Sequence, residues 1–536
     1  MSQVFLYDTT LRDGTQRENL SLSLGDKIKI AQRLDSFGIP YIEGGWPGSN
    51  PKDAEFFARV REIPLRQARI CAFGSTRYKQ THCDRDANIQ ALLEARTPVV
   101  TLVGKSWDLH VEQVIETTLA ENLAMVEDSV RYVKRAGREV VYDAEHFFDG
   151  WKANPGYAIA TLEAAARGGA DFLVLCDTNG GTLPWEVEAI TASVCRSAAA
   201  PVGIHTHDDG GCGVANSLVA VRAGAVMVQG TVNGYGERVS NANLTTIVPD
   251  LQLKMGRRCV PPERLRELTE LSRYVAEVAN IPHDDYSPYV GRSAFAHKGG
   301  IHVAAMLKCP ESYQHVEPAL VGNEMRTVVS ELSGRGNILH LAERQALATD
   351  ASRAREVLER VKDLESKGYT FEGAEASVEM MLRRTHAEYR APFQLVDFMV
   401  VVEHREGRGL FSEATVKVEV EGRLVHTAAE GNGPVNALSL ALRKALADTH
   451  PEIQDVHLSD YKVRILDSQE GTAATTRVLI DFQKGARQWT TVGASTNIIE
   501  ASWTALADAM EYAIAREREG WASRPEPLTG QLAAGE

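Results

Sequence analysis

Eight short apolar runs, most of them followed by a longer amphipathic stretch, fill the first half of the chain. The runs cover residues 4–8, 41–45, 69–73, 99–103, 139–143, 172–176, 202–206 and 226–230. Helical periodicity follows at 23–37, 111–135, 186–197 and 215–223. The runs lack clean polar alternation, which is the pattern of strands buried on both faces of a parallel sheet. Eight such units in about 250 residues match a (β/α)₈ TIM barrel. The competing arrangement is a doubly wound open sheet. Its dinucleotide-binding version carries a Gly-rich turn after the first strand. Here that turn reads Asp8-Thr9-Thr10-Leu11-Arg12-Asp13-Gly14, which has no such fingerprint.

With 536 residues the chain is too long for the barrel alone. Pro261 and Pro262 break the repeat. A helical segment at 263–279, a loop-rich stretch to about 336 and further helices to about 384 come next. The last part changes character, with strands at 398–403, 415–420 and 478–482 and helices at 435–446 and 498–515. Residues 427–433 and 491–497 echo each other as small-residue turns leading into those helices. We read two related β-rich units with one helix each, an α+β accessory domain. The expected division is a barrel at 1–280, helical linker subdomains at 281–385, an α+β accessory domain at 386–520 and a Pro/Gly/Ala-rich disordered tail at 521–536.

The barrel's C-terminal rim is where chemistry is expected. There the chain reads His205-Thr206-His207-Asp208-Asp209, at the end of the seventh run. Residues i and i+2 of a strand share a face, so two imidazoles can meet one metal. Asp13, after the first run, can reach the same rim. Asn241, after the eighth, offers an oxygen. Oxygen-rich coordination suits Mg²⁺ or Mn²⁺, imidazoles also suit Zn²⁺, and two imidazoles with one carboxylate can hold Fe(II). Arg12 can stabilise a developing oxyanion. It can equally pair with Glu43 or Asp8, which would position it. Glu145, at the end of the fifth run, is either a substrate-orienting or proton-transferring carboxylate or a solvated loop residue; Asp143 and His146 are its neighbours. Thr178 either bonds a substrate carboxylate or stabilises a turn.

Formal net charge is −14, with the acidic residues spread along the chain. Nucleic acid and anionic membrane both reward clustered positive charge, so neither is expected as a partner. No apolar run is long enough to span a bilayer, and Met1 leads straight into a strand-like run with no signal-peptide pattern. The seven cysteines form no CxxC pair. Reduced thiols and a cytoplasmic location are expected.

Two longer stretches carry a family resemblance. Leu11-Arg12-Asp13-Gly14-Thr15-Gln16, with Lys27, Gly38 and Ile42-Glu43-Gly44-Gly45-Trp46-Pro47, resembles the first signature of the 2-isopropylmalate, homocitrate and citramalate synthases. The His205–Asp209 stretch, with Ala215-Asn216-Ser217 and Ala223-Gly224-Ala225, resembles their second. The wider group is the DRE-TIM metallolyases. The resemblance implies Asp13, His205, His207 and Asn241 as metal ligands, and Arg12 as the residue polarising a 2-oxo group. It implies Glu145 as a catalytic acid and Thr178 as the anchor of the substrate carboxylate. His302, in His297-Lys298-Gly299-Gly300-Ile301-His302, matches a segment that reaches a neighbouring barrel and supplies a candidate base. The implied reaction is condensation of acetyl-CoA with a small 2-oxo acid. Trp46 and the run His146-Phe147-Phe148-Asp149-Gly150 resemble the branch that takes pyruvate and makes (R)-citramalate for isoleucine biosynthesis. The linker segment implies a homodimer, the domain at 386–520 resembles the family's regulatory dimer domain, and a citramalate product implies inhibition by isoleucine. The acceptors 2-oxoisovalerate and 2-oxoglutarate are the alternatives. A lyase on the same site, or an amino-acid sensor without catalysis, are rival classes, disfavoured by the long C-terminal half and by the intact ligand set.

Overall fold

In the computed structural model, residues 2–519 are described, apart from Leu307, Ala346, Ala348, Arg408 and Ala486. The expected disordered tail lies outside the described residues. The chain divides into two compact units, Met1–Phe295 with Val316–Glu324, and Ala296–His315 with Met325–Glu536.

The first unit is a closed barrel of eight parallel strands in sequence order: β1 Phe5–Asp8, β2 Tyr41–Gly45, β3 Arg69–Ser75, β4 Val99–Lys105, β5 Glu139–Glu145, β6 Phe172–Asp177, β7 Val202–Thr206 and β8 Met227–Gly230. All eight expected strands are present. β1 closes the sheet by pairing with β8, Phe5 opposite Met227. Inside the barrel, the N-terminal half of the bore is filled by Tyr7, Tyr41, Val99, Phe172 and Met227. It is therefore a packed core rather than a pore.

Local sequence explains the helix ends. Leu24–Phe37 starts at Ser23, whose side chain accepts from the Asp26 N–H while Asp26 accepts from the Ser23 N–H. It stops at Gly38, whose φ of 111° is costly for any residue with a Cβ. Asn50 before Pro51 and Asn154 before Pro155 open two further helices, their side chains accepting from the Asp53 and Tyr157 N–H. The expected helix at 111–135 is two pieces. A π-helical turn at His110–Val114 ends at Ile115, and Leu119–Arg135 begins afresh on the Thr118 cap. The break is marked by the Thr118 side chain, which accepts from the Glu121 N–H.

In the second unit, β9 Ala296–His297 and β10 Arg326–Thr327 pair in parallel. Helices Arg335–Arg344, Ala351–Ser366 and Glu375–Arg384 pack around Ile338, Val357, Phe371 and Leu382. Two similar blocks follow. β11 Phe393–Arg405, β12 Gly409–Val420 and β13 Arg423–Gly431 form an antiparallel sheet backed by the helix Pro434–Leu446. β14 His457–Ile465, β15 Thr476–Lys484 and β16 Arg487–Ser495 form another, backed by Ile498–Arg518. The expected pair of β-rich units is present, with three strands in each. One correction concerns the small-residue echo. Most of 427–433 and 491–497 is strand, in β13 and β16, not turn. Thr427 pairs with Val416, and Thr491 with Ile480, so cross-strand partners override the weak strand propensity of Ala and Gly there.

Among the described residues no helix is long and apolar enough to cross a membrane. All seven cysteines are free.

Candidate active site

Nine of the ten residues singled out in the sequence lie in the barrel unit. β1 ends at Asp8, and the turn after it presents Arg12 and Asp13. β7 ends in His205-Thr206, and His207 follows. The backbone of His207 bridges to that of Asn241, which brings the loop after β8 alongside. Asp13, His205 and His207 form a buried group able to hold a metal ion, their ligand atoms all within 4.8 Å of one another. Nε2 of His205 is 3.7 Å from Asp13 Oδ2, and Nε2 of His207 is 4.0 Å from it.

The electrostatics suit a cation. Burial alone would raise the Asp13 pKa, but Arg12, His205, His207 and Asn241 hold it below the usual carboxylate range. Burial lowers both imidazoles. His207 falls to about 3, with His205 adding to the effect, and His205 is lowered despite the opposing pull of Asp13. Both rings are thus neutral and keep a lone pair. His205 Nδ1 meets Gln229 Oε1 at 2.9 Å, and Gln229 Nε2 donates to Asp143 Oδ1 at 2.8 Å. This chain fixes the tautomer that leaves Nε2 unprotonated and facing Asp13. Asn241 Nδ2 donates to Asp13 Oδ1 at 3.0 Å, while Asn241 Oδ1 is buried with no hydrogen-bond partner among the described residues. An orphaned oxygen beside a carboxylate and two imidazole lone pairs fits a divalent cation.

Arg12 stands next to this group. Its Nε donates to Glu43 Oε1 at 2.5 Å, its Nη1 is 3.2 Å from Asp13 Oδ2, and its guanidinium lies 3.9 Å over the Phe73 ring. Burial opposes the charge, but Glu43 and Asp13 outweigh it and raise the Arg12 pKa further. Glu43 is fully buried and also accepts from Tyr7 at 2.6 Å. Of the two pairings foreseen for Arg12, this is the one formed.

Asp8 does something else. Its carboxylate accepts from the Thr10 N–H at 3.0 Å and the Thr10 hydroxyl at 2.9 Å. Burial pushes its pKa up to about 7, with the Thr10 bonds opposing. A carboxyl whose pKa rises on folding contributes stability at low pH and loses it as pH climbs through the folded value. Asp8→Asn is therefore expected to flatten the fall in melting temperature between about pH 4 and 7. Equal slopes for variant and wild type would count against this assignment.

Glu145 leaves β5 with its carboxylate paired to Lys105, at the end of β4. The Thr178 hydroxyl accepts from the His146 N–H at 2.9 Å. Arg12, Asp13, Glu145, Thr178, His205 and His207 share one cleft of about 710 Å³. His302 belongs to the second unit, where its ring stacks on Tyr313 at 4.5 Å. Sequence reading missed Lys105 and Gln229. Lys105 had a usable signal, since it ends a barrel strand on the rim. Gln229 had a weaker one, as a polar residue inside the eighth apolar run, which the pairing of β7 with β8 sets opposite His205.

An eight-stranded barrel with this rim group defines a class, and the comparisons agree. Residues 3–275 match the HMGL-like family model, 289–369 the homocitrate synthase post-HMGL domain-like model, and 372–514 the LeuA allosteric (dimerisation) domain model. The chain belongs to the HMGL-like family and, within it, groups with proteins called (R)-citramalate synthase. That of Synechocystis is 53% identical over 96% of this chain and 96% of its own length. That of Geobacter sulfurreducens is 52% identical over 97% and 99%. Among solved structures, the HMG-CoA lyase of Bacillus subtilis is 21% identical with a TM-score of 0.45, covering 53% of this chain and 96% of that one.

Proposed function

We propose that this enzyme condenses acetyl-CoA with pyruvate to give (R)-citramalate and CoA. The observation that carries the reading is the Asp13–His205–His207 group with Arg12 beside it, in a chain about half identical along its length to (R)-citramalate synthases. A divalent ion, Mg²⁺ or Mn²⁺ before Zn²⁺, held by Asp13, His205, His207 and Asn241 supplies Lewis acidity toward the 2-oxo group. The chain does the rest. The Thr178 hydroxyl donates a hydrogen bond to the acceptor's carboxylate. A base takes a proton from the acetyl methyl, and the carbon so freed attacks the ketone carbon. Glu145, beside Lys105, is one candidate for holding and moving that proton, and His302 is the other. The Arg12 guanidinium, already fixed by Glu43 and Phe73, stabilises the negative oxygen formed on the attacked carbon without reorganising. Water then splits the thioester, releasing CoA and making the condensation effectively irreversible.

Two of the cleft's cations are already matched, Arg12 by Glu43 and Asp13 and Lys105 by Glu145. Thiol release from acetyl-CoA, measured with Mn²⁺ and with pyruvate, 2-oxoisovalerate or 2-oxoglutarate in turn, is expected to give pyruvate the highest kcat/KM. A higher value for either other acid overturns the choice of acceptor.

The same reading makes the enzyme a homodimer inhibited by isoleucine through the C-terminal blocks. It is supported by the apolar side chains Val396, Met399, Val401 and Val402 that β11 leaves outward. Sedimentation as an active monomer, or kinetics indifferent to isoleucine, would tell against these two points.

A further inference from the structure

Side-chain-bearing residues seldom adopt positive φ, and where a buried one does, the surrounding structure holds it there against strain. Two residues with positive φ, one of them buried, converge on Thr178. His146 is buried, at φ 55° and ψ 35°, and follows Glu145 off the end of β5. Its left-handed turn takes the chain out of the strand and into the helix Phe147–Ala153. It also aims the His146 N–H at Thr178 Oγ1, 2.9 Å away. Arg238, at φ 60°, donates from Nη2 to the Thr178 carbonyl at 2.7 Å while it grips Asp209. Thr178 is thus held through main chain and side chain from two loops.

The direction of the first bond matters. A hydroxyl has one proton to give and two lone pairs to receive with. The His146 N–H occupies the receiving side. Among the described residues nothing accepts from the Thr178 hydroxyl, and Thr178 lines the cleft. The geometry points to the His146 main chain as a positioning element that turns Thr178 into a hydrogen-bond donor for the carboxylate of the 2-oxo acid. The inference rests on the reading of Thr178 given above. On it, the imidazole has a separate, anchoring task. Its Nδ1 sits 3.1 Å from Asp149 Oδ2, its face is packed 4.3 Å from the His110 ring, and Asp149 in turn accepts from Asn179 at 3.0 Å.

Steady-state kinetics on the full-length enzyme separates main chain from ring. His146→Val places a β-branched residue where φ must be positive, so the N–H swings away. It is expected to raise KM for the 2-oxo acid about tenfold and to leave KM for acetyl-CoA within about twofold. His146→Gly keeps the N–H, accepts the left-handed turn and removes the ring. It is expected to recover the acid's KM to within about threefold of wild type. If His146→Gly loses as much as His146→Val, or if both KM values rise together, the proposal is overturned. Should His146→Val fail to fold, His146→Gly decides alone, a tenfold rise in the acid's KM counting against the proposal and a small one for it. The acid used is whichever the wild type turns over best, so a wrong acceptor shows in the wild-type assay. A wrong role for Thr178 shows as Thr178→Val with an unchanged KM for the acid.

Discussion

Asp13→Ala loses turnover by a factor of roughly 10³ or more and no longer binds Mn²⁺ measurably, while its melting curve remains cooperative. Asp13 is the only anionic donor in the group, since the imidazoles are held neutral by burial. Without it, two neutral rings and one amide face a divalent ion with no charge to offset the ion's desolvation. The same carboxylate sits 3.2 Å from Arg12 and takes the Asn241 amide, so its loss also frees the residue proposed to stabilise the oxyanion. Calorimetric titration with Mn²⁺ is the direct check. It reads the site without depending on catalysis. Unchanged Mn²⁺ affinity in Asp13→Ala would sink the assignment of the metal group, whatever happened to activity.

Arg12 yields the second large effect, and it splits by substituent. Arg12→Lys keeps a positive charge but cannot both reach Glu43 and lie flat on Phe73. Its kcat is expected to fall by about 10² to 10³, the usual cost of removing one oxyanion donor, with little change in KM for acetyl-CoA. Arg12→Ala is expected to lose activity similarly and stability as well. It leaves Glu43, which is fully buried, without its cation, a defect that costs about 3–5 kcal/mol in comparable buried pairs. Thermal melts alongside kinetics check both halves. An Arg12→Ala protein as stable as wild type would mean that Glu43 is neutralised by other means, and a near-normal kcat in Arg12→Lys would remove Arg12 from the chemistry.

Much of the metal group was legible in advance, for a geometric reason. A barrel strand carries its C-terminal residues to one rim, so Asp13 after β1 and His205 and His207 at the end of β7 are neighbours once the strands are counted. What surrounds them was less legible. Lys105 meets Glu145 because β4 and β5 pair in register, Lys105 opposite Glu145. Gln229 reaches His205 through the corresponding register of β7 and β8. A one-residue slip would turn either side chain to the other face of the sheet. Three strands of the C-terminal blocks, β13, β14 and β16, were hard to see for a related reason. β13 and β14 expose much of their length and carry little apolar signal, and what makes them strands is the partner already in place.

By itself the sequence determined the number and order of the barrel strands, the helix caps, the rim that carries chemistry and the residue types of the metal group. These follow from apolar periodicity and capping chemistry, which act over a few residues. Only the tertiary structure decided that Arg12 pairs with Glu43 rather than Asp8, that Gln229 sets the tautomer of His205, and that His146 turns left-handed to hold Thr178. Those outcomes depend on strands far apart in the chain arriving at fixed register, and on burial that raises the cost of every unpaired charge. Neither is present until the barrel closes.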